Sequence, residues 1–282
     1  MNSEFQPIAS PTELPIAASP PLPTENRVAR WRWWVSLLVI ASSPLLAALS
    51  STQRTASPGN RGALLPKSVM GLLLFCAIEL GAFGVMWGIA WAFSRANRDQ
   101  LFLRWRGAKS LLWGVGYSLL MRFGIVFVAI FIFIALSIVG VDSKAIAEVV
   151  KSSGDNVQKV FSPIFAGRDP LYKMLVIALI SFVVAGGREE LWRAATMAGI
   201  FHLVPHKWSQ ATKNGLALGL SSALFGMGHL YQGAMGVFGT TLLGVALGAI
   251  MLRHKSVWPA IIAHGCFDAV SFAALAFGAG IK

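Results

Sequence analysis

Charge is scarce in this chain of 282 residues: Asp, Glu, Lys and Arg together make up 13%, about half the share usual in soluble domains. That scarcity excludes an ordinary soluble enzyme. Hydrophobic residues reach 55% and the mean hydropathy is +0.64. Runs such as Ser68 to Phe93 and Leu111 to Val141 are too long and too apolar for the core helices of a soluble domain, and are what a bilayer requires. Cysteine is equally sparse. Cys76 and Cys266 both lie inside apolar runs, so neither pairing nor redox chemistry is indicated. No HExxH, GxSxG or P-loop signature occurs, which removes the commonest soluble hydrolase and nucleotide-binding classes. No internal repeat is visible either, so the inverted-repeat signature of many transporters is missing.

The charge that is present is strongly basic, with a net value of +12. In a soluble chain this would suggest nucleic acid. Here Lys and Arg gathered in loops beside anionic headgroups account for it, and no nucleic-acid partner is expected. The partner is the lipid bilayer itself.

The first 26 residues hold six of the 13 prolines and lack the basic start and apolar core of a signal peptide. Residues 1–30 are therefore expected to be a disordered, Pro-rich cytoplasmic tail. A first span is expected at Trp33 to Ser50, preceded by Arg27, Arg30 and Arg32 and by the interfacial tryptophans Trp31, Trp33 and Trp34. Spans two and three cover Ser68 to Phe93 and Leu111 to Val141. Between them Arg95, Arg98, Arg104, Arg106 and Lys109 face a single acid, Asp99, the strongest cytoplasmic signature in the chain. Residues 31–141 thus form an N-terminal three-span region. Residues 142–170 balance acids against bases and read as an extracytoplasmic loop. Residues 171–282 form a helical core. In it an apolar run from Leu171 to Ala185 leads through Gly186-Gly187 into a charged helical segment, Arg188 to Val204. Three further spans follow at Leu216 to Tyr231, Val237 to Leu252 and Val257 to Phe277. Alternation places 12 basic residues inside and eight in the longer outside loops. The fold class expected is all-α: a polytopic transmembrane helix bundle of about seven spans with its N-terminus in the cytoplasm.

Ionisable groups in or beside spans are the informative residues, because they are costly there and need polar partners. Three groups fall in the C-terminal half. In Gly187-Arg188-Glu189-Glu190-Leu191-Trp192-Arg193, regular helical spacing puts Glu189 and Arg193 on one face and turns Glu190 about 100° away. The plain alternative is a helix start with acids in its first turn and one i,i+4 pair. In Phe225-Gly226-Met227-Gly228-His229 a histidine ends an otherwise uncharged span, a position equally suited to an interfacial ring. In His264-Gly265-Cys266-Phe267-Asp268 two polar groups lie four apart early in the last span, as active groups or as a structural pair. Together they supply a carboxylate pair, an arginine, two histidines and a further acid on three helices. That inventory suits hydrolysis, with a carboxylate to take a proton from water, an imidazole to orient it and donors for an oxyanion. Gly186, Gly187, Gly226, Gly228, Gly233, Gly236 and Gly239 would let the helices approach closely enough.

The ordered set EExxxR (Glu189, Glu190, Arg193), FxxxH (Phe225, His229) and HxxxN/D (His264, Asp268) resembles the CPBP intramembrane proteases, the group containing the type II CAAX prenyl endopeptidase and its bacterial relatives. The resemblance covers roughly residues 170–277. It implies an intramembrane peptidase opening toward the cytoplasm that hydrolyses a membrane-associated peptide, in some members a prenylated CAAX-type C-terminus. It further implies Glu189 as general base and His229 as its partner in positioning water. Glu190 and Arg193 would fix the motif helix through a salt bridge, and His264 and Asp268 would serve the oxyanion. Asp268 departs from the Asn of prenyl-processing members, so it should either be protonated or orient His264. Glu189, His229, His264 and Asp268 are also ligand types suited to zinc, but without an HExxH-type spacing no cofactor is assigned.

Glu79 in span two and Arg122 in span three are expected to pair with each other. His202, His206 and His254 fall at span ends, where an amphipathic ring is at home. A multi-pass protein of the bacterial inner (cell) membrane is expected. Two other functions fit the same residues: a non-catalytic scaffold or bacteriocin-immunity-type protein keeping the motif as a structural polar network, and a small transporter relaying through Glu79, Arg122 and Asp268.

Overall fold

Long apolar runs closed by capping residues set the helices. The structure, a computed structural model, describes residues 28–56 and 65–278. Most of the expected Pro-rich tail, residues 1–27, lies outside the described residues. Helix α1 spans Arg30–Ala56. Helix α2 (Val69–Ser94) starts where the Ser68 hydroxyl accepts from the Gly71 N–H at 3.1 Å and stops where Arg95 turns left-handed. Helix α3 spans Lys109–Ile138 and α4 spans Ser143–Phe165. Helix α5 (Pro170–Leu175), capped by Asp169 with Pro at its first position, a π-helical stretch (Val176–Glu189) and α6 (Glu190–Leu203) run on as one helix of 34 residues. Helix α7 (Gln210–Met227) begins at a Ser209 cap. A 3-10 turn (Leu230–Gln232), α8 (Gly233–His254) and α9 (Trp258–Phe277) complete the bundle.

All described regular structure is helical, and five helices are long and apolar enough to cross a membrane: α2, α3, the continuous α5 to α6 helix, the segment Leu230–His254 and α9. The protein is an integral, multi-pass membrane protein. Of the seven spans expected, those in α1 and α7 are helical but fall outside this group. Two further expectations are corrected. Gly186-Gly187 does not divide an apolar run from a charged helix, because the wider π turns carry the backbone through both glycines. Residues 142–170 are not an open loop but hold α4, whose apolar Ile146, Val149, Val150, Val157, Phe161 and Ile164 recur at helical spacing.

Hydrogen bonds fix which helix ends share a face. Val257 N–H donates to the Phe102 carbonyl at 2.8 Å, Ser256 Oγ to that of Arg104 at 2.9 Å and Trp258 Nε1 to that of Leu103 at 3.1 Å. Arg30 Nη2 donates to the Leu203 carbonyl at 2.6 Å. The basic links 95–108, 204–209 and 255–257 thus gather at one end of the bundle. At the other end, Tyr172 Oη donates to the Pro66 carbonyl at 2.7 Å and Lys173 Nζ to that of Ala276 at 3.3 Å.

Helix α6 runs through the centre. Eleven of its 14 residues are buried, and Ala194 and Met197 pack with Leu247, Met251, Ala260 and Ala263 of α8 and α9. Helix α9 lies against the π-helical stretch and α3, and α7 against α8. Glycine makes two of these approaches possible: a Cβ at Gly186 would stand 2.7 Å from the Ile261 carbonyl oxygen, and one at Gly226 only 2.0 Å from Thr241 Oγ1. At Gly239 a Cβ would meet open space, so that position makes no such approach.

Candidate active site

Two ionic networks lie side by side at the junction of the π-helical stretch and α6. The inner one is sealed. Glu190 and Arg193 have no exposed side-chain surface, and Arg193 donates through Nε to Glu190 Oε2 at 3.0 Å and through Nη2 to Oε1 at 3.3 Å. His264 donates through Nδ1 to Glu190 Oε1 at 3.0 Å. The remaining arm of Arg193 reaches the Gly244 carbonyl at 3.4 Å, and its guanidinium stacks 4.3 Å from the Phe225 ring centroid. Every charge here has a partner, which is what makes burial tolerable.

The spacing rule that joined Glu189 to Arg193 is therefore corrected: Arg193 takes Glu190, three residues away. Both glutamates have ordinary helical dihedrals, so i,i+3 and i,i+4 each bring a carboxylate beside Arg193; Arg193 takes Glu190, and Glu189 accepts from Arg188 instead.

Glu189 belongs to the outer network. Arg188 donates through Nη2 to Glu189 Oε1 at 3.0 Å and through Nη1 to Glu79 Oε2 at 2.5 Å. The side chains of Glu189, Arg188 and Glu79 keep 17%, 25% and 38% of their surface exposed. The expected pair between Glu79 and Arg122 does not form. Arg122 instead donates to the Phe267 carbonyl and lies over the Phe267 ring. The two charges of the N-terminal region each reach a motif helix rather than one another.

His229 closes the end of α7. Its Nδ1 donates to the Phe225 carbonyl at 2.8 Å, which leaves Nε2 as the free acceptor, and its ring packs edge-on against Phe225 with centroids 4.7 Å apart. Phe225 also meets the His264 ring edge-on at 5.9 Å. One phenyl ring thereby separates and orients both imidazoles and the Arg193 guanidinium. His264 Nε2 faces Asp268 Oδ2 at 3.7 Å, the i,i+4 relation that α9 dictates. His264 thus joins Asp268 to Glu190, the neighbour of Glu189, and shares the Phe225 ring with His229, which links the four candidate catalytic side chains.

Residues 170–270 match the family described as Type II CAAX prenyl endopeptidase Rce1-like. Over these residues the chain is similar to that family. No curated protein and no solved structure matches the chain.

The family is one of CAAX-type endopeptidases, and the motif residues Glu189, Glu190, Arg193, Phe225, His229, His264 and Asp268 fall inside the endopeptidase-like segment. Among the described residues no three His, Cys, Asp or Glu side chains are grouped to hold a metal ion, and His264 Nδ1 donates to Glu190. Sequence reasoning missed Tyr231 on the 3-10 turn. Its ring lies 5.8 Å from that of His229, its hydroxyl accepts from Gln232 Nε2 at 3.1 Å, and the charges of Glu189, Asp268 and Arg188 act on it. Its only signal was an aromatic hydroxyl two residues after a motif histidine. Outside the endopeptidase-like segment, Glu79 and Arg122 were visible as intramembrane charges, but their partners were not.

Proposed function

We propose that the chain is an intramembrane endopeptidase that hydrolyses a peptide bond in a membrane-associated, prenylated CAAX-type substrate through water activated by Glu189. The observation that carries this reading is the convergence of a partly exposed carboxylate, Glu189, with His229, His264 and Asp268 inside the endopeptidase-like segment. By helical rise, Glu189 lies about 20 Å and Asp268 about 15 Å along their helices from the basic end of the bundle. The concentration of Lys and Arg at that end supports reading it as the cytoplasmic side, with the N-terminus there too.

Water held between Glu189 and the free Nε2 of His229 gives one proton to the Glu189 carboxylate as its oxygen attacks the scissile carbonyl carbon. The carbonyl electrons move onto oxygen, and His264, braced at Nδ1 by Glu190, donates from Nε2 to that oxyanion. Collapse of the tetrahedral adduct restores the carbonyl and breaks the C–N bond. The proton held on Glu189 passes to the leaving nitrogen, releasing the peptide amine and regenerating the base. Asp268, 3.7 Å from His264 Nε2, orients that ring rather than meeting the oxyanion itself.

Purified protein in detergent with a quenched prenylated CAAX peptide tests the assignment: Glu189→Gln and His229→Ala should each lower kcat by at least about 100-fold, the usual scale for an acid–base group. Full cleavage by either variant removes that residue from the mechanism. A second reading, a scaffold that keeps the motif as a structural network, is favoured by the completeness of the buried Glu190, Arg193 and His264 bonding. It requires that Glu189→Gln leave biological function intact.

A further inference from the structure

One guanidinium serves two carboxylates at the edge of the site. Arg188 spends Nη1 on Glu79 and Nη2 on Glu189. Glu79 stands within α2, 109 residues before Arg188 and outside the endopeptidase-like segment. A guanidinium is a planar fork that closes bidentately on a carboxylate when only one is within reach. Closed on Glu189, it would occupy both oxygens of the group that must take a proton from water. With Nη1 drawn away to Glu79, Glu189 receives a single bond on Oε1, and among the described residues it accepts no second hydrogen bond.

We propose that Glu79 is a positioning residue for the hydrolysis: it holds one arm of Arg188 so that the other steadies Glu189 while one carboxylate oxygen stays open to water. This rests on Glu189 being the base. The plainer role, a partner that makes the Arg188 charge tolerable in a bilayer, would stabilise the helix pair without touching turnover.

The two roles separate in the full chain, assayed in detergent with the quenched prenylated peptide. Glu79→Gln keeps size and an acceptor oxygen but loses the charge that competes for the guanidinium, and kcat should fall about tenfold with KM within about twofold. Glu79→Leu should do the same or more. In an Arg188→Gln background, where no arm remains to be held, adding Glu79→Gln should change kcat no further. A crystal structure of Glu79→Gln should show both Nη atoms of Arg188 on Glu189. The proposal is overturned if Glu79→Gln and Glu79→Leu keep kcat within about twofold of wild type, if the Glu79 and Arg188 losses multiply, or if Arg188 turns away from Glu189. Glu189→Gln, run alongside, distinguishes the failures. Inactivity there with an indifferent Glu79 leaves the base assignment standing and sinks this inference, whereas an active Glu189→Gln enzyme overturns both.

Discussion

Replacing Arg193 by Met tests whether the inner network is the frame of the site. Met is close in length and apolar, so the change removes the charge and leaves little void. Arg193 and Glu190 have no exposed side-chain surface, so the glutamate would be left uncompensated in the bundle centre, held only by His264. Breaking a buried pair from one side costs about 3–5 kcal/mol. The lost stacking on Phe225, 4.3 Å from the guanidinium carbon, adds up to about 2 kcal/mol when desolvated. These contributions overlap, and about 4 kcal/mol is the working expectation, or roughly 8–16 °C in the melting midpoint for a chain of this size. Scans of purified protein at a fixed rate in one detergent measure it. The double variant Glu190→Gln/Arg193→Met should recover at least half of the loss, because Gln still accepts from His264 Nδ1 and no buried charge remains unpaired. A midpoint within about 2 °C of wild type for Arg193→Met, or a double variant whose loss equals the sum of the single ones, would refute the reasoning.

Asp268→Asn should keep turnover within about tenfold of wild type, because an amide oxygen still faces His264, whereas Asp268→Ala should lose about 100-fold; equal losses would remove the orienting role. Incubation with 1,10-phenanthroline should leave the rate unchanged, and a loss that added zinc restores would overturn the metal-free mechanism. Gly226→Ala should lower the melting midpoint by the roughly 1–3 kcal/mol that overpacking costs, since the new Cβ would stand 2.0 Å from Thr241 Oγ1. Thr241→Ala should relieve part of that loss, and an unchanged midpoint for Gly226→Ala would refute the close approach.

Solvent class was legible because it depends on totals: a chain with this little charge can bury its backbone in lipid only as helices. The His264 and Asp268 relation was legible too, because α9 is regular and four residues make one turn. The relation of Glu189 to Arg193 was not, since i,i+3 and i,i+4 neighbours share one side of a helix and spacing alone does not choose between Glu190 and Glu189 as the partner of Arg193. Helix α4 was hidden by its balanced charges, which read as a loop until its apolar residues are followed at three- and four-residue steps. The partners of Glu79 and Arg122 were illegible for a different reason. Helices α2 and α3 are apolar on every side, so nothing in their periodicity says which way a lone charge points. Each found its partner more than a hundred residues away.

Adjacent glutamates of one motif end in opposite circumstances, and exposure rather than residue type separates them. Glu190 has no surface and three hydrogen bonds, two from Arg193 and one from His264. Neither water nor a peptide can reach it without breaking charge-assisted bonds in a low-dielectric interior, where each break leaves a buried ion unpaired. Glu189 keeps 17% of its surface and a single bond from Arg188. A general base has to be reachable by the water it deprotonates, so of the two carboxylates Glu189 suits the chemistry and Glu190 suits the frame. The same reasoning assigns the two arginines. Arg193, sealed and bidentate, holds the fold of the site; Arg188, partly exposed and shared between Glu79 and Glu189, is the cation whose arms can be redistributed. A change in the outer network should therefore appear in turnover before stability, and a change in the inner one in stability first.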